Sequence, residues 1–166
     1  WRHTCGIYDT GKAQCWGWND YSQADPPPNA SFQSISAGDD HSCGITVAGK
    51  VKCWGRNDYG QSTVPTGDFV SVSAGTFKSC AVSTTGSVEC WGTDFSDEEP
   101  PDLKFKSVSV GDDHTCGVTQ AGAVECWGWD DMGQSSPPED FFTSVSAGEW
   151  HTCGITAAGP LSCWGY

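Results

Sequence analysis

His41-Ser42-Cys43-Gly44-Ile45, followed across a short loop by Cys53-Trp54-Gly55, is the stretch that decides the fold. Its first half recurs as His3-Thr4-Cys5-Gly6-Ile7, His114-Thr115-Cys116-Gly117-Val118 and His151-Thr152-Cys153-Gly154-Ile155, with Lys78-Ser79-Cys80-Ala81-Val82 as a divergent copy. Its second half recurs as Cys15-Trp16-Gly17, Cys90-Trp91-Gly92, Cys126-Trp127-Gly128 and Cys163-Trp164-Gly165. Self-similarity at a period of about 37 residues marks a repeat architecture.

Facing residues of an antiparallel hairpin keep a constant sum of positions. Setting Cys5 opposite Cys15 puts Gly6 opposite Gln14, Ile7 opposite Ala13 and Tyr8 opposite Lys12, and leaves Asp9-Thr10-Gly11 as the loop. The last loop residue is glycine in every copy: Gly11, Gly49, Gly86, Gly122 and Gly159. A three-residue hairpin loop wants a left-handed residue there, which glycine adopts without a Cβ clash. Cysteines facing each other at a non-hydrogen-bonded site are close enough to bridge. The register therefore predicts five disulfides: Cys5 with Cys15, Cys43 with Cys53, Cys80 with Cys90, Cys116 with Cys126, and Cys153 with Cys163. Such pairing places the chain in an oxidising compartment, secreted or at the cell surface. Zinc would gather its ligands in one place instead of spreading one His-Cys set over each repeat. No metal and no cofactor is expected.

A third element lies between hairpins. Phe32-Gln33-Ser34-Ile35-Ser36-Ala37-Gly38 and its counterparts from Phe69, Phe105 and Phe142 alternate with period two, as a half-buried strand requires. Prolines precede it at Pro26-Pro27-Pro28, Pro65, Pro100-Pro101 and Pro137-Pro138, ending the previous strand. The expectation is one all-β repeat domain over residues 1–166, standing alone or within a longer chain, with units near 1–31, 32–68, 69–104, 105–141 and 142–166.

The order Phe-x-Ser-Val-Ser-Ala-Gly, His-Thr-Cys-Gly-Ile, Cys-Trp-Gly and an Asn-x-x-Gly-Gln turn, clearest at Asn57-Asp58-Tyr59-Gly60-Gln61, resembles the regulator of chromosome condensation repeat family in a secreted, disulfide-containing form. The last submotif is imperfect in Tyr21-Ser22-Gln23 and absent after Trp91. The resemblance implies a β-propeller of about five short antiparallel blades, each with one hairpin disulfide. Family functions range from nucleotide exchange on a small GTPase to light sensing and enzyme inhibition, so the fold leaves function open. The photoreceptor motif Gly-Trp-Arg-His-Thr is matched only by Trp1-Arg2-His3-Thr4, with a partial echo at Glu149-Trp150-His151-Thr152.

The first unit lacks the Phe-x-Ser strand and the last stops at Cys163-Trp164-Gly165-Tyr166, so the first blade is expected to be incomplete. A larger ring, or strand donation from another chain into a filament, would complete it. The net charge of −13 repels phosphate backbones, which excludes nucleic acid as a partner. No apolar run is long enough for a membrane span. The histidines share one repeat position, where hydrogen bonding at the turn into the hairpin is expected, and no asymmetric catalytic constellation stands out. The chain reads as a non-enzymatic extracellular structural or adhesive module that binds other proteins, as part of an appendage, filament or matrix. The alternative is a lectin, with Trp18 and Trp129 stacking on sugar rings beside Asn19 and Asp130. Asn29-Ala30-Ser31 is the single N-glycosylation triplet, expected in an exposed loop.

Overall fold

A computed structural model describes residues 2–93 and 99–166. Strands β1 (His3–Ile7) and β2 (Ala13–Gly17) make a two-stranded sheet. Four three-stranded sheets follow: β3 (Phe32–Ala37), β4 (His41–Thr46) and β5 (Val51–Gly55); β6 (Phe69–Ala74), β7 (Lys78–Ser83) and β8 (Val88–Gly92); β9 (Phe105–Val110), β10 (His114–Thr119) and β11 (Val124–Gly128); β12 (Phe142–Ala147), β13 (His151–Thr156) and β14 (Leu161–Gly165). Pairing is antiparallel throughout, and the strand with the first cysteine is central in each three-stranded sheet. Among the described residues no helix is long and apolar enough to cross a membrane.

The hairpins take the register their cysteines require. Cys5 faces Cys15, Gly6 faces Gln14 and Ile7 faces Ala13, and the other four hairpins repeat this pattern. Gly11 closes the first loop at φ +79°, and its four counterparts are also left-handed. All five cysteine pairs are bridged, with Cα atoms 4.0–4.1 Å apart.

The Phe-x-Ser strand departs from strict alternation. Phe32 pairs with Thr46 but Ser34 pairs with Ile45, so Gln33 is a bulge, and the same shift occurs in β6, β9 and β12. An extra residue re-aims the side chains around it. Phe32, Phe69, Phe105 and Phe142 turn into the interior while their neighbours Gln33, Val70, Lys106 and Thr143 are exposed. Gly44, Gly117 and Gly154 seat three of these rings: a Cβ there would lie 2.6 Å from a phenylalanine Cδ1. The Cys-Trp-Gly tryptophans cover the rings from the other side, with centroids 5.6 Å apart for Phe32 and Trp54 and 5.8 Å for Phe105 and Trp127.

Each phenylalanine also packs against the preceding sheet, Phe69 on Ile45 and Val51, Phe142 on Val118 and Val124. The strands that carry them, β3, β6, β9 and β12, lie next to one another in succession. At their Ala-Gly ends the approach is close enough to demand glycine, since a Cβ on Gly38 would stand 2.2 Å from the Gly75 carbonyl oxygen and one on Gly111 2.3 Å from that of Gly148. Sheets that converge on one edge in this way are the radial arrangement of a propeller. The outer faces of the row are open. Ile155 and Leu161 are 46% and 68% exposed, whereas Ile45 and Val51 at the same repeat positions are buried.

The turn after each hairpin explains one irregularity of the repeat. Gly60 and Gly133 are left-handed at φ +81° and +78°, and Ser22 takes their place at φ +62°. A non-glycine residue pays roughly 1–2 kcal/mol for that conformation, partly offset by the flexibility glycine adds to the unfolded chain. Ser22→Gly is therefore expected to raise stability by about 0.5–1 kcal/mol, read from the shift of a denaturation midpoint.

Candidate functional site

A hydrogen-bonded relay joins each sheet to the next. The Gly-Gln turn buries Gln23, Gln61 and Gln134 completely, and their side-chain oxygens accept the backbone N–H of Tyr21, Tyr59 and Met132 at 2.9–3.0 Å. The backbone carbonyl of Gln61 accepts both Ser79 Oγ (3.0 Å) and Trp91 Nε1 (2.9 Å) from the following sheet. Gln23 and Gln134 receive the corresponding pairs, Ser42 with Trp54 and Thr152 with Trp164. The fourth sheet is the exception: Thr115 Oγ1 and Trp127 Nε1 are buried without a partner among the described residues. The third unit has no Gly-Gln after Trp91, and residues 94–98 lie outside the described set, as does Trp1.

At their own turns the His41 and His114 carbonyls accept the N–H of Gly38 and Gly111 at 2.9 Å, as expected, and the histidine side chains complete the relay. Nε2 of His3, His41 and His114 lies 2.7 Å from the hydroxyl of Ser42, Ser79 and Thr152 in the next sheet. Each hydroxyl already donates its only proton to a glutamine carbonyl, so the imidazole must donate through Nε2–H. Among the described residues, Nδ1 of all three is buried with no hydrogen-bond partner. A second proton there would be a buried donor with no acceptor. Burial accordingly pushes His41 down to about 4, helped by the nearby His3, and pushes His114 down to about 4, with Lys78 adding to the effect.

Because these groups titrate near 6.5 when unfolded, their contribution is complete above pH 6.5 and is lost as pH falls toward 4. At about 1.4 kcal/mol per pH unit, His41 alone is worth roughly 3 kcal/mol across that window. The fall in melting temperature between pH 7 and pH 4.5 is expected to be smaller in His41→Gln than in the parent. Equal slopes would contradict the assignment.

On this fixed frame, two positions per sheet vary freely. Trp18, Arg56, Thr93, Trp129 and Tyr166 follow Cys-Trp-Gly, and each donates its N–H to the carbonyl of the residue preceding the histidine position: Arg2, Asp40, Phe77, Asp113 and Trp150. The bonds place all five pairs at one end of their sheets. The Arg2 guanidinium stands 5.6 Å from the Trp18 ring centroid. Arg56 bonds Asp40 at 3.2 Å and lies over the rings of Tyr21 and Tyr59 at 5.0 and 5.5 Å. Trp150 meets Tyr166 edge to face. Trp18, Trp129 and Trp150 stay 39–43% exposed, so this end carries a belt of partly uncovered aromatics.

Inside the belt, the turns of four successive sheets meet. Asp39, Thr76, Asp112 and Glu149 line a cavity of about 170 Å³, and Thr76 Oγ1 donates to Asp112 Oδ1 at 2.8 Å. Asp39-Asp40 and Asp112-Asp113 belong to the acidic turns of two separate units. Their shared repeat offset, combined with radial sheets, is the signal that brings them together. Among the described residues no cluster of His, Cys, Asp and Glu is disposed to hold a metal ion.

The lectin candidates form two separate pairs. Trp18 with Asn19 and Trp129 with Asp130 lie at the same end of the molecule but on the first and fourth sheets, which are not neighbours. Their polar partners are engaged in their own loops. Asn19 donates to Asp25 (3.0 Å) and accepts from the Ala24 N–H (2.8 Å). Asp130 accepts the Ser135 N–H (2.7 Å) and the Ser136 hydroxyl (2.6 Å). Asn29 is exposed.

The model of the Regulator of chromosome condensation (RCC1) repeat matches residues 1–23, 32–61, 105–134 and 142–166. The chain belongs to the RCC1 repeat family. Three of the matched segments end on the glutamine of the sheet-joining turn, Gln23, Gln61 and Gln134, and the unmatched unit is the one with Lys78 for histidine and Ala81 for glycine. Among solved structures, the ectodomain of the Physcomitrella patens receptor kinase CR4 is 31% identical with a TM-score of 0.84, covering 99% of this chain and 50% of that one. The CRINKLY WD40 ectodomain of the Arabidopsis thaliana receptor kinase ACR4 is also 31% identical, with a TM-score of 0.80, covering 99% of this chain and 62% of that one. Prp20p from Saccharomyces cerevisiae shares the RCC1 fold at 17% identity and a TM-score of 0.80, covering 99% of this chain and 56% of that one. The chain spans between half and about three fifths of these proteins' length. No curated protein sequence matches it.

Proposed function

We propose that this RCC1-repeat chain is an extracellular protein-interaction module that docks a partner on the end bearing the acidic cavity and the aromatic belt. The observation that carries the reading is the division of labour within the repeat. Buried Gln, Ser, His and Trp positions hold the sheets together, while the variable pairs from Arg2–Trp18 to Trp150–Tyr166 occupy one end of that frame. A rigid scaffold presenting variable exposed side chains is how binding surfaces are usually built. Five disulfides, and similarity to two receptor-kinase ectodomains, support the extracellular setting. The net charge of −13 and the carboxylates of Asp39, Asp112 and Glu149 favour a partner that offers Lys or Arg at the centre of its contact. A structural or adhesive role is the finer form of the same reading.

Screening against an array of extracellular domains and displayed peptides tests it. Binders are expected to be rich in Lys and Arg and to weaken at higher salt. The Trp129→Ala, Trp150→Ala double variant is expected to lose at least about tenfold in affinity, the scale of a truncated aromatic hot spot. Binding that ignores both this variant and Asp112→Asn, Glu149→Gln would overturn the docking face. Binding confined to a glycan array would favour the lectin.

A specific pocket favours a second reading, the seating of another repeat strand. Gly6, Ile7, Tyr8, Gln14 and Trp16 line a cavity of about 240 Å³ beside β1. In the three-stranded sheets a phenylalanine occupies the equivalent place over Gly44, Gly117 and Gly154. A Phe-x-Ser strand from a further repeat, of this chain or another, fits it. Protection of β1 amides by a peptide with the sequence of residues 142–148, lost when its phenylalanine becomes alanine, is the expected result.

A further inference from the structure

The chain has three asparagines, and two of them hold loops together. Asn19 uses both side-chain polar atoms within its own turn, and Asn57 accepts the Ser62 N–H at 2.9 Å while donating to Thr63 Oγ1 at 3.1 Å. Asn29 differs. It is exposed, and no hydrogen bond ties its side chain to the described residues. The backbone around it is firmly fixed. Ala30 N–H donates to the Pro27 carbonyl at 3.2 Å, closing a turn with Asn29 near its tip. Ala30 is buried in a cluster with Phe32 and Trp54, and the Ser31 carbonyl accepts the Val47 N–H at 2.9 Å. Asn29 is therefore the one asparagine among the described residues with a free side-chain amide, on an anchored turn, two residues before a serine and with no proline between them.

We propose that Asn29 carries an N-linked glycan. Asn-x-Ser is the acceptor pattern of N-glycosylation, and the oxidising route that forms five disulfides is also where such transfer takes place. In the transfer, the Asn29 amide nitrogen bonds to C1 of the first sugar of a lipid-diphosphate-linked oligosaccharide. The bond from that carbon to the phosphate oxygen breaks, the lipid diphosphate departs, and the nitrogen gives up one proton. Exposure lets the folded protein accommodate the product without moving a packed side chain. The glycan also has a defined position. Ser31 and Phe32 bond to the hairpin loops at Val47 and Gly11, the end of the sheets opposite the acidic cavity. A glycan on Asn29 shields that end and leaves the proposed docking face bare.

The inference rests on the extracellular reading, and peptide mapping of the protein from its native source tests the two separately. The expected result is a glycopeptide spanning Asn29. Peptide N-glycosidase in heavy-oxygen water should remove its glycan and convert Asn29 to heavy-labelled Asp. Asn29→Gln and Ser31→Ala, expressed in the same host, are expected to lose the glycan while keeping all five disulfides and the parent melting temperature. Ser31→Thr is expected to keep the glycan. An exported, fully bridged protein with unmodified Asn29 overturns the glycan alone, whereas a chain found with free thiols inside the cell overturns both readings.

Discussion

Reduction of all five disulfides is expected to abolish the cooperative unfolding transition at 25 °C and neutral pH. Each bridge joins cysteines ten positions apart, and on the chain-entropy model a ring of that size stabilises by about 2.8 kcal/mol. Five independent hairpins would together lose roughly 14 kcal/mol, against the 5–15 kcal/mol that a typical domain holds in total. The apolar clusters are too small to make up the difference: one consists of Ala30, Phe32 and Trp54 with a fringe of partly buried neighbours. Because every bridge lies within a hairpin, the relay between sheets remains chemically possible after reduction but loses its preformed partners. Circular dichroism melts of the oxidised protein and of the reduced, alkylated protein measure the effect. A reduced chain that still melts cooperatively within about 10 °C of the oxidised one would show that the inter-sheet relay and phenylalanine cores carry the fold.

The hairpins were legible in the sequence because register, loop and bridge constrain one another. Once Cys5 faces Cys15, Gly11 must fall at the left-handed end of the loop, and it does, at φ +79°. The bulge at Gln33 was not legible, because Phe-Gln-Ser-Ile-Ser-Ala satisfies strict alternation equally well; only the seat over Gly44 shows why the phenylalanine must turn inward. The histidine relay was hidden for a related reason. His41 and Ser79 are 38 residues apart, and a repeat pattern reveals that a position recurs without revealing which neighbouring sheet it reaches. The cavity lined by Asp39, Thr76, Asp112 and Glu149 needed the third dimension most, since its residues come from four units and differ in type. What repetition did expose was the complement of the scaffold. Positions 18, 56, 93, 129 and 166 break the pattern after every Cys-Trp-Gly, and those breaks mark the end of the molecule on which the variable side chains stand.

Phe105→Ala is expected to cost about 3–5 kcal/mol, the range for truncating a fully buried aromatic. The ring has no exposed surface and packs with Cys80 and Val82 of the third sheet and with Val108, Val110 and Trp127 of its own. Its loss opens a cavity that the strands cannot collapse into. β9 is held at the bulge, and its Val110 N–H is bonded at 3.0 Å to Ser73 Oγ of the preceding sheet. The position of the damage matters as much as its size, because in a repeat array stability divides into terms within units and terms between neighbours. Phe105 serves both terms at once, so the denaturation curve of the variant is expected to broaden or split as the sheets on either side of the seam separate. Phe141→Ala is the control. Phe141 directly precedes the buried Phe142 but is 60% exposed, and its replacement is expected to change stability by no more than about 0.5 kcal/mol. Urea titrations of the oxidised proteins give both values. A Phe105→Ala cost below about 1 kcal/mol would mean that the inter-sheet hydrogen bonds, and not the phenylalanine wedge, hold neighbouring sheets together.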